Sequence, residues 1–179
     1  FIIDDMIVAR VGINEYHCVP NAAMIERDFE WFNEMSKGYD NVNIENVSDD
    51  YAIIALQGPK ARDILREITP VAIDDFAFFT RRVLPIKGLN TDIEVWCSGY
   101  TGEDGFEFMT PVEYAQALWD IILTTGNKYG IMPIGLGARD TLRMEKGFLL
   151  SGQDFKGDIS PVETNWNCEW AVDWEHEFI

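Results

Sequence analysis

The hydrophobic and polar positions of this chain change period several times, and each change predicts an element. Residues 1–11 (Phe-Ile-Ile-Asp-Asp-Met-Ile-Val-Ala-Arg-Val) are rich in β-branched side chains and predict a strand. Alternation puts Ile3, Asp5, Ile7 and Ala9 on one face and Ile2, Asp4, Met6 and Val8 on the other. Two adjacent acids therefore point opposite ways, and at least one faces the interior. A buried carboxylate without a partner is costly, so it is either hydrogen-bonded structurally or held there to meet a ligand. Periodicity does not choose between Asp4 and Asp5. Gly12–Asn14 turns the chain into a second strand over 15–19. Pro20-Asn21 then opens a helix to about Ser36, with Asn21 as its N-cap and Ala22, Ile25, Phe29 and Phe32 as an apolar stripe. Gly38 ends it.

Val42–Val47 alternates like a strand, and Tyr51–Leu56 is a nearly continuous apolar one. Gln57-Gly-Pro59 turns into a helix over 60–68. An aromatic segment over 76–88 feeds another strand, and Ile93–Cys97 with Phe106–Met109 predict a hairpin. Thr110-Pro-Val-Glu113 has the form of a capping box, with proline first in a helix to about Leu123 buried through Leu118, Ile121 and Ile122. A loop over 126–132 leads to a helix over 138–146, closed by Gly147. Arg139 and Arg143 share a face of it. Solvation is the ordinary state for both, more so for Arg143; Arg139, in a first turn that disfavours cations, calls for an acidic partner. The tail from Ser160-Pro-Val-Glu163 through Trp166, Trp170 and Trp174 is aromatic and irregular. Strands in hairpins beside separate helices predict an α+β class.

The hairpin turn is unusual. Gly99-Tyr-Thr-Gly-Glu-Asp-Gly-Phe-Glu107 carries glycines at 99, 102 and 105 around one aromatic and two acids. Glycine allows close approach by a backbone or ligand, so this stretch is either a plain acidic surface loop or a binding loop.

Composition narrows the function classes. A chain of 179 residues, 47% hydrophobic, can bury a core and amounts to one domain or parts of two. With 31 acids against 14 bases the formal charge is −17, which argues against nucleic acid and anionic membrane surfaces as partners. Cys18, Cys97 and Cys168 lack metal-ligand spacing, and with His17 and His176 the only histidines, neither a zinc site nor a Ser-His-Asp triad is supported. No apolar run reaches membrane-spanning length, and no signal peptide is visible. Both ends look cut.

Six motifs in one order carry a resemblance: Ile3-Asp-Asp5, Gln57-Gly-Pro59, the 99–107 loop, Gly135-Leu-Gly-Ala-Arg-Asp-Thr-Leu-Arg-Met-Glu145, Gly152-Gln-Asp154 and Ser160-Pro-Val-Glu163. Together they resemble the T-protein (aminomethyltransferase) family of the glycine cleavage system and its folate-binding relatives. Proteins of that family are about twice this length. The resemblance thus implies a central part of an intertwined pair of α+β folate-binding units, lacking an N-terminal segment and a C-terminal β-barrel domain. Residues 46–132 would form one unit, 1–45 with 133–165 the other, and 166–179 the lead into the missing domain.

The resemblance also implies a reaction. An aminomethyl group on the lipoyl arm of H-protein is transferred to tetrahydrofolate with release of ammonia, without metal or flavin in this part. Matched by motif, Asp5 is the key acid, orienting folate and steering proton transfer. Tyr100 and Glu107 lie on the pterin side, Arg139 beside the folate, and Val19 and Asn21 at a strand-to-helix corner touching the pterin. Phe148 replaces a tyrosine of some relatives, keeping a ring and losing a hydroxyl. The implied partners are tetrahydrofolate and lipoylated H-protein, which is itself usually acidic, so docking calls for a basic patch such as Arg81, Arg82 and Lys87. The implied compartment is the cytoplasm, or the mitochondrial matrix in a eukaryote. Three alternatives stay open: a folate domain of a dimethylglycine- or sarcosine-oxidising enzyme, a folate-dependent demethylase, and a non-catalytic folate-binding or repair-associated relative.

Overall fold

Strand β6 (Gly105–Pro111) shows how the sequence builds the larger of two units. Phe106, Phe108 and Thr110 alternate with Glu107 and Met109, and the first three are fully buried. A computed structural model describes residues 1–164; Trp166, Cys168, Trp170, Trp174, His176 and the expected 166–179 lead lie outside the described residues. β6 is central in an antiparallel sheet with β3 (Tyr51–Gln57), β4 (Arg81–Pro85) and β5 (Asp92–Trp96), in the order β3-β6-β5-β4. The register aligns Leu56 with Phe106 and Ile54 with Phe108 across one pair, and Val95 with Phe108 across the next. These side chains, with Ile93 and Leu84, form one core with α2 (Ala61–Ile68) and α3 (Ala115–Gly126). The helices contribute Ala61, Ile64, Leu65, Ile68, Leu118 and Ile122. The other face of the sheet carries Ala55, Glu94, Trp96 and Glu107. A fourth helix, α4 (Leu136–Lys146), completes this unit. Gly147, at φ 87°, closes it in the left-handed conformation that glycine adopts without strain.

The second unit contains the hairpin of β1 (Ile7–Arg10) and β2 (Tyr16–Val19), and helix α1 (Ile25–Met35). By internal contacts, residues 46–148 form one unit, while 1–45 group with the segment that begins at Leu149. The helix over 136–146 therefore groups by contacts with the four-stranded sheet, while the resemblance implies 133–165 with residues 1–45. The architecture is α+β with antiparallel sheets, as the hairpin pattern predicts.

Several local expectations fail for identifiable reasons. No strand forms over 42–47. Asn43 donates to Glu45 and Asn46 accepts from the Ser48 amide and hydroxyl, local bonds that compete with a ladder. The first strand covers 7–10 rather than 1–11. Thr110 is no cap: it is buried in β6, which runs through Pro111, and a short 3-10 turn over 112–114 precedes α3. Arg143 is buried, at 2% exposure, rather than solvated. It binds Asp140 (Nε to Oδ1 2.8 Å) and the Phe148 carbonyl (3.0 Å).

Candidate functional site

Each unit holds one cluster of the residues implied by the resemblance. In the smaller unit the cluster is an acidic corner built on Asn21. Asn21 stands before the 3-10 turn over 22–24, where its carbonyl accepts from Met24, but its side chain caps nothing. The amide Nδ2 instead donates to Asp4 Oδ1, Asp5 Oδ1 and the Asp5 carbonyl, each at 2.9 Å. The Asn21 backbone N–H donates to Asp4 Oδ2, also at 2.9 Å. One side chain thus grips both acids, and the expected N-cap role is replaced by this clamp.

The two acids differ in setting. Asp4 is half-buried, with both oxygens engaged by Asn21. Asp5 stands at an exposed position, and among the described residues only Asn21 donates a side-chain hydrogen bond to its carboxylate, at Oδ1. Displaced water raises the Asp5 carboxyl above the usual range, the Asn21 amide opposes that shift, and the Asp4 charge adds to it. Val19 is half-buried at the end of β2, paired with Ile7 of β1 two residues before Asn21. It anchors the corner through the strand pairing.

The larger unit holds an aromatic cluster. Tyr100 and Phe148 stack with centroids 5.6 Å apart and planes 16° from parallel, and the Arg139 guanidinium lies 4.3 Å from the Tyr100 ring centre. Arg139 is thus exposed at the start of α4 and met by an aromatic face, where the helix dipole calls for an acid. Glu107 projects from the sheet face opposite the core, and Ser98 Oγ donates to its Oε2 at 2.6 Å. A carboxylate fixed through one oxygen can accept from planar N–H donors through the other.

The glycine loop is more structural than its composition indicates. A Cβ on Gly99 would lie 1.9 Å from Gln57 Oε1, and one on Gly105 would lie 2.4 Å from Gln57 Cδ. The Gln57 amide fills the space those two side chains vacate and donates to the carbonyls of Ser98 (3.0 Å) and Phe106 (3.3 Å). Asp104 forms a bidentate pair with Arg62 of α2 (2.9 and 3.0 Å). The third glycine, Gly102, has φ 79°, and a Cβ there would meet the Lys146 stem at 2.6 Å.

Three functional candidates escape the apolar pattern. Asp28, 3% exposed, is the only fully buried residue of α1. Its signal was available: it interrupts the stripe of Ile25, Phe29 and Phe32 at core spacing. Gln57 and Arg143 carry none in periodicity. The proposed basic patch also needs correction, because each member has an internal partner: Arg81 with Glu94 (3.4 Å), Arg82 with Asp75 (3.0 Å), and Lys87 with the Glu67 carbonyl (2.7 Å). Among the described residues no group of three or more His, Cys, Asp or Glu is arranged to hold a metal, and no helix is long and apolar enough to cross a membrane.

The larger unit, a sheet backed by helices on one face, and the smaller unit, a hairpin and helix with an acidic corner, define an α+β class of fold. The family profile of the GCVT N-terminal domain matches residues 1–176, and the chain belongs to that family. An aminomethyltransferase of Thermoanaerobacter sp. (strain X514) is 42% identical over 162 residues, covering 90% of this chain and 44% of the relative. That of Thermotoga maritima is 39% identical over 178 residues, covering 99% and 48%. The chain therefore spans less than half the length of these relatives. Among solved structures, glycine cleavage system aminomethyltransferase T from Bartonella henselae matches with TM-score 0.75 and 31% identity, covering 90% of this chain and 41% of that one. Heterotetrameric sarcosine oxidase from Corynebacterium sp. U-96 shares the fold alone, with TM-score 0.57 at 14% identity.

Proposed function

We propose that this chain is the folate-handling part of an aminomethyltransferase that passes a one-carbon unit from aminomethyl-lipoyl H-protein to tetrahydrofolate, releasing ammonia. The observation that carries this reading is the clamped acid pair: one of two adjacent aspartates is spent on structure, while the other is held by a single side-chain donor at an exposed position. Such a carboxylate can orient a reacting amine and relay its proton, and the desolvation that raises its pKa favours that exchange. Asp5 takes this role. Asn21 holds its carbonyl, and Val19 pairs with Ile7 two residues on, which reduces the ordering required when the ligand arrives. Glu107, held by Ser98, accepts from the pterin amino and ring N–H groups. Tyr100, flanked by Phe148 and Arg139, offers a flat face and a cation beside the folate. No step requires a metal or a flavin from this chain.

The test uses the protein that carries this chain and its Asp5→Asn variant. Methylenetetrahydrofolate formation from aminomethyl-loaded H-protein is followed alongside calorimetric folate binding. The expected result is turnover by wild type and a loss of a hundredfold or more in the variant, about 2.7 kcal/mol of barrier, with folate still bound. Folate binding without any response to loaded H-protein would move the donor to another one-carbon compound. Absence of folate binding would refute the reading outright.

A further inference from the structure

The acidic corner has a deeper layer. Asp28 reaches from the first turn of α1 to the Asp4 carboxylate, lining a cavity of about 470 Å³ with Ile3, Asp4, Met6, Val8 and Tyr16. Among the described residues of this unit it is the most enclosed acid, and its Oδ2 is buried without a hydrogen-bond partner among them. Two carboxylates cannot hydrogen-bond unless one carries a proton. The contact runs on from there, since Asp4 accepts twice from Asn21, and the same Asn21 amide holds Asp5.

We propose that Asp28 is a positioning residue, whose carboxyl shares one proton with Asp4 and so sets, through Asn21, the orientation of Asp5. With the proton in place, Asp4 carries a single charge and stays seated on the Asn21 donors. Without it, two like charges face each other in a poorly solvated wall, and Asp4 is pushed against the clamp. The proposal rests on the assignment of Asp5 as the working acid.

Burial raises the Asp28 carboxyl to about 6, the Asp4 hydrogen bond and charge add to the shift, and Arg27 on α1 opposes it. The other titratable groups facing the same cavity are Tyr16 and Cys18 of β2, and Asp5 lies one residue from Asp4. Ionisation of Asp28 thus falls within the range that an activity profile covers.

Two variants separate positioning from simple packing. Asp28→Leu fills the space without a donor; Asp28→Asn keeps a donor toward Asp4 at every pH. In the protein that carries this chain, Asp28→Leu should lower turnover at least tenfold with folate Kd within about threefold of wild type. Asp28→Asn should restore turnover, and its ratio to wild type should rise as pH increases from 5 to 8. A folded, fully active Asp28→Leu, or a ratio flat across that range, overturns the proposal. If Asp28→Leu does not fold, the Asp28→Asn ratio alone decides. Asp5→Asn serves as control: if it leaves turnover unchanged, the assignment of Asp5 has failed, whereas a dead Asp5→Asn beside an indifferent Asp28 refutes only the positioning role. The Asn21 side-chain amide resonances give a readout apart from activity, shifting in Asp28→Leu and not in Asp28→Asn.

Discussion

Replacing Gly105 by alanine would drive a methyl group into the Gln57 amide. The new Cβ would sit 2.4 Å from both Gln57 Cδ and Oε1, a distance that no side-chain carbon tolerates. The φ of Gly105 does not forbid alanine, and the nearest atoms to the new Cβ all belong to Gln57, so the cost lies in what Gln57 must give up. Moving that amide breaks its bonds to the Ser98 and Phe106 carbonyls and the contact from Thr101 Oγ1, at 3.0, 3.3 and 3.3 Å. At about 1 kcal/mol for each good bond and less for the longer ones, the loss is about 2 kcal/mol. Alanine in a strand recovers roughly 0.5–1 kcal/mol over glycine, leaving a net cost of about 1–1.5 kcal/mol. Gln57→Ala alone should cost about 2 kcal/mol through the same bonds. The double variant should cost roughly 0.5–1 kcal/mol less than Gln57→Ala, because the obstruction is already gone and only alanine's strand advantage over glycine remains. Urea unfolding of the four proteins in the cycle measures this, and the expected coupling is about 1–2 kcal/mol. Additive effects would refute the threading of Gln57 between the two glycines.

The other expectations can be checked with the same materials. Asp28 titrates near 6 in the fold against an ordinary 3.8, so the folded state binds the extra proton between those values. Stability contributed by this group is complete below about pH 4 and is lost as pH rises through 6, by roughly 2–3 kcal/mol. Asp28→Asn should therefore be more stable than wild type at pH 7.5 and nearly equal to it at pH 4, by urea midpoint; the reverse order would be decisive against this sign. Arg143→Leu, which removes a buried guanidinium from Asp140 and the Phe148 carbonyl, should cost about 2–3 kcal/mol in thermal unfolding, whereas exposed Arg139→Ala should cost under about 0.5 kcal/mol. If Arg139 serves folate, its variant should instead weaken folate binding in calorimetry. Glu107→Gln should raise the folate Kd roughly tenfold while leaving unfolding unchanged, since one charge-assisted acceptor is worth about 1.5 kcal/mol.

Much of the framework is legible in the sequence because burial on one face imposes a period. The strands over 51–57 and 105–111 and the helix over 61–68 follow their apolar positions closely. The failures occur where a residue's role is set by a partner distant in sequence. Thr110 looks like a cap until β3 pairs with it, because a capping box and a buried strand end share the same letters. Arg143 fails for a different reason: its partners, Asp140 and the Phe148 carbonyl, are only three and five positions away, but a guanidinium bonded to them leaves no periodic signal. Asn21 reads correctly in place and wrongly in role, since its amide answers to Asp4 and Asp5, seventeen and sixteen positions away. Likewise, alternation leaves Asp4 and Asp5 equivalent; the structure separates them by hydrogen bonding, with Asp4 doubly held and Asp5 held once. The aromatic stack of Tyr100 and Phe148 joins two loops that no periodicity connects.

The discontinuous smaller unit has a consequence for how the chain emerges during synthesis. Its first residues are tied to its last described ones: the Ile2 N–H donates to the Ile159 carbonyl at 2.8 Å. Residues 46–148, by contrast, form a contiguous unit with all four strands of its sheet. A ribosome releasing the chain from its N-terminus thus supplies everything the sheet requires before it supplies the partner of Ile2. Domains fold as units during translation, at about 5–20 residues per second, so the wait between the two events is on the order of seconds. Throughout that interval the clamp of Asn21 on Asp4 and Asp5 is already within reach, being local to the first segment. Asp5 can be set in its corner while the far end of its unit is still unmade.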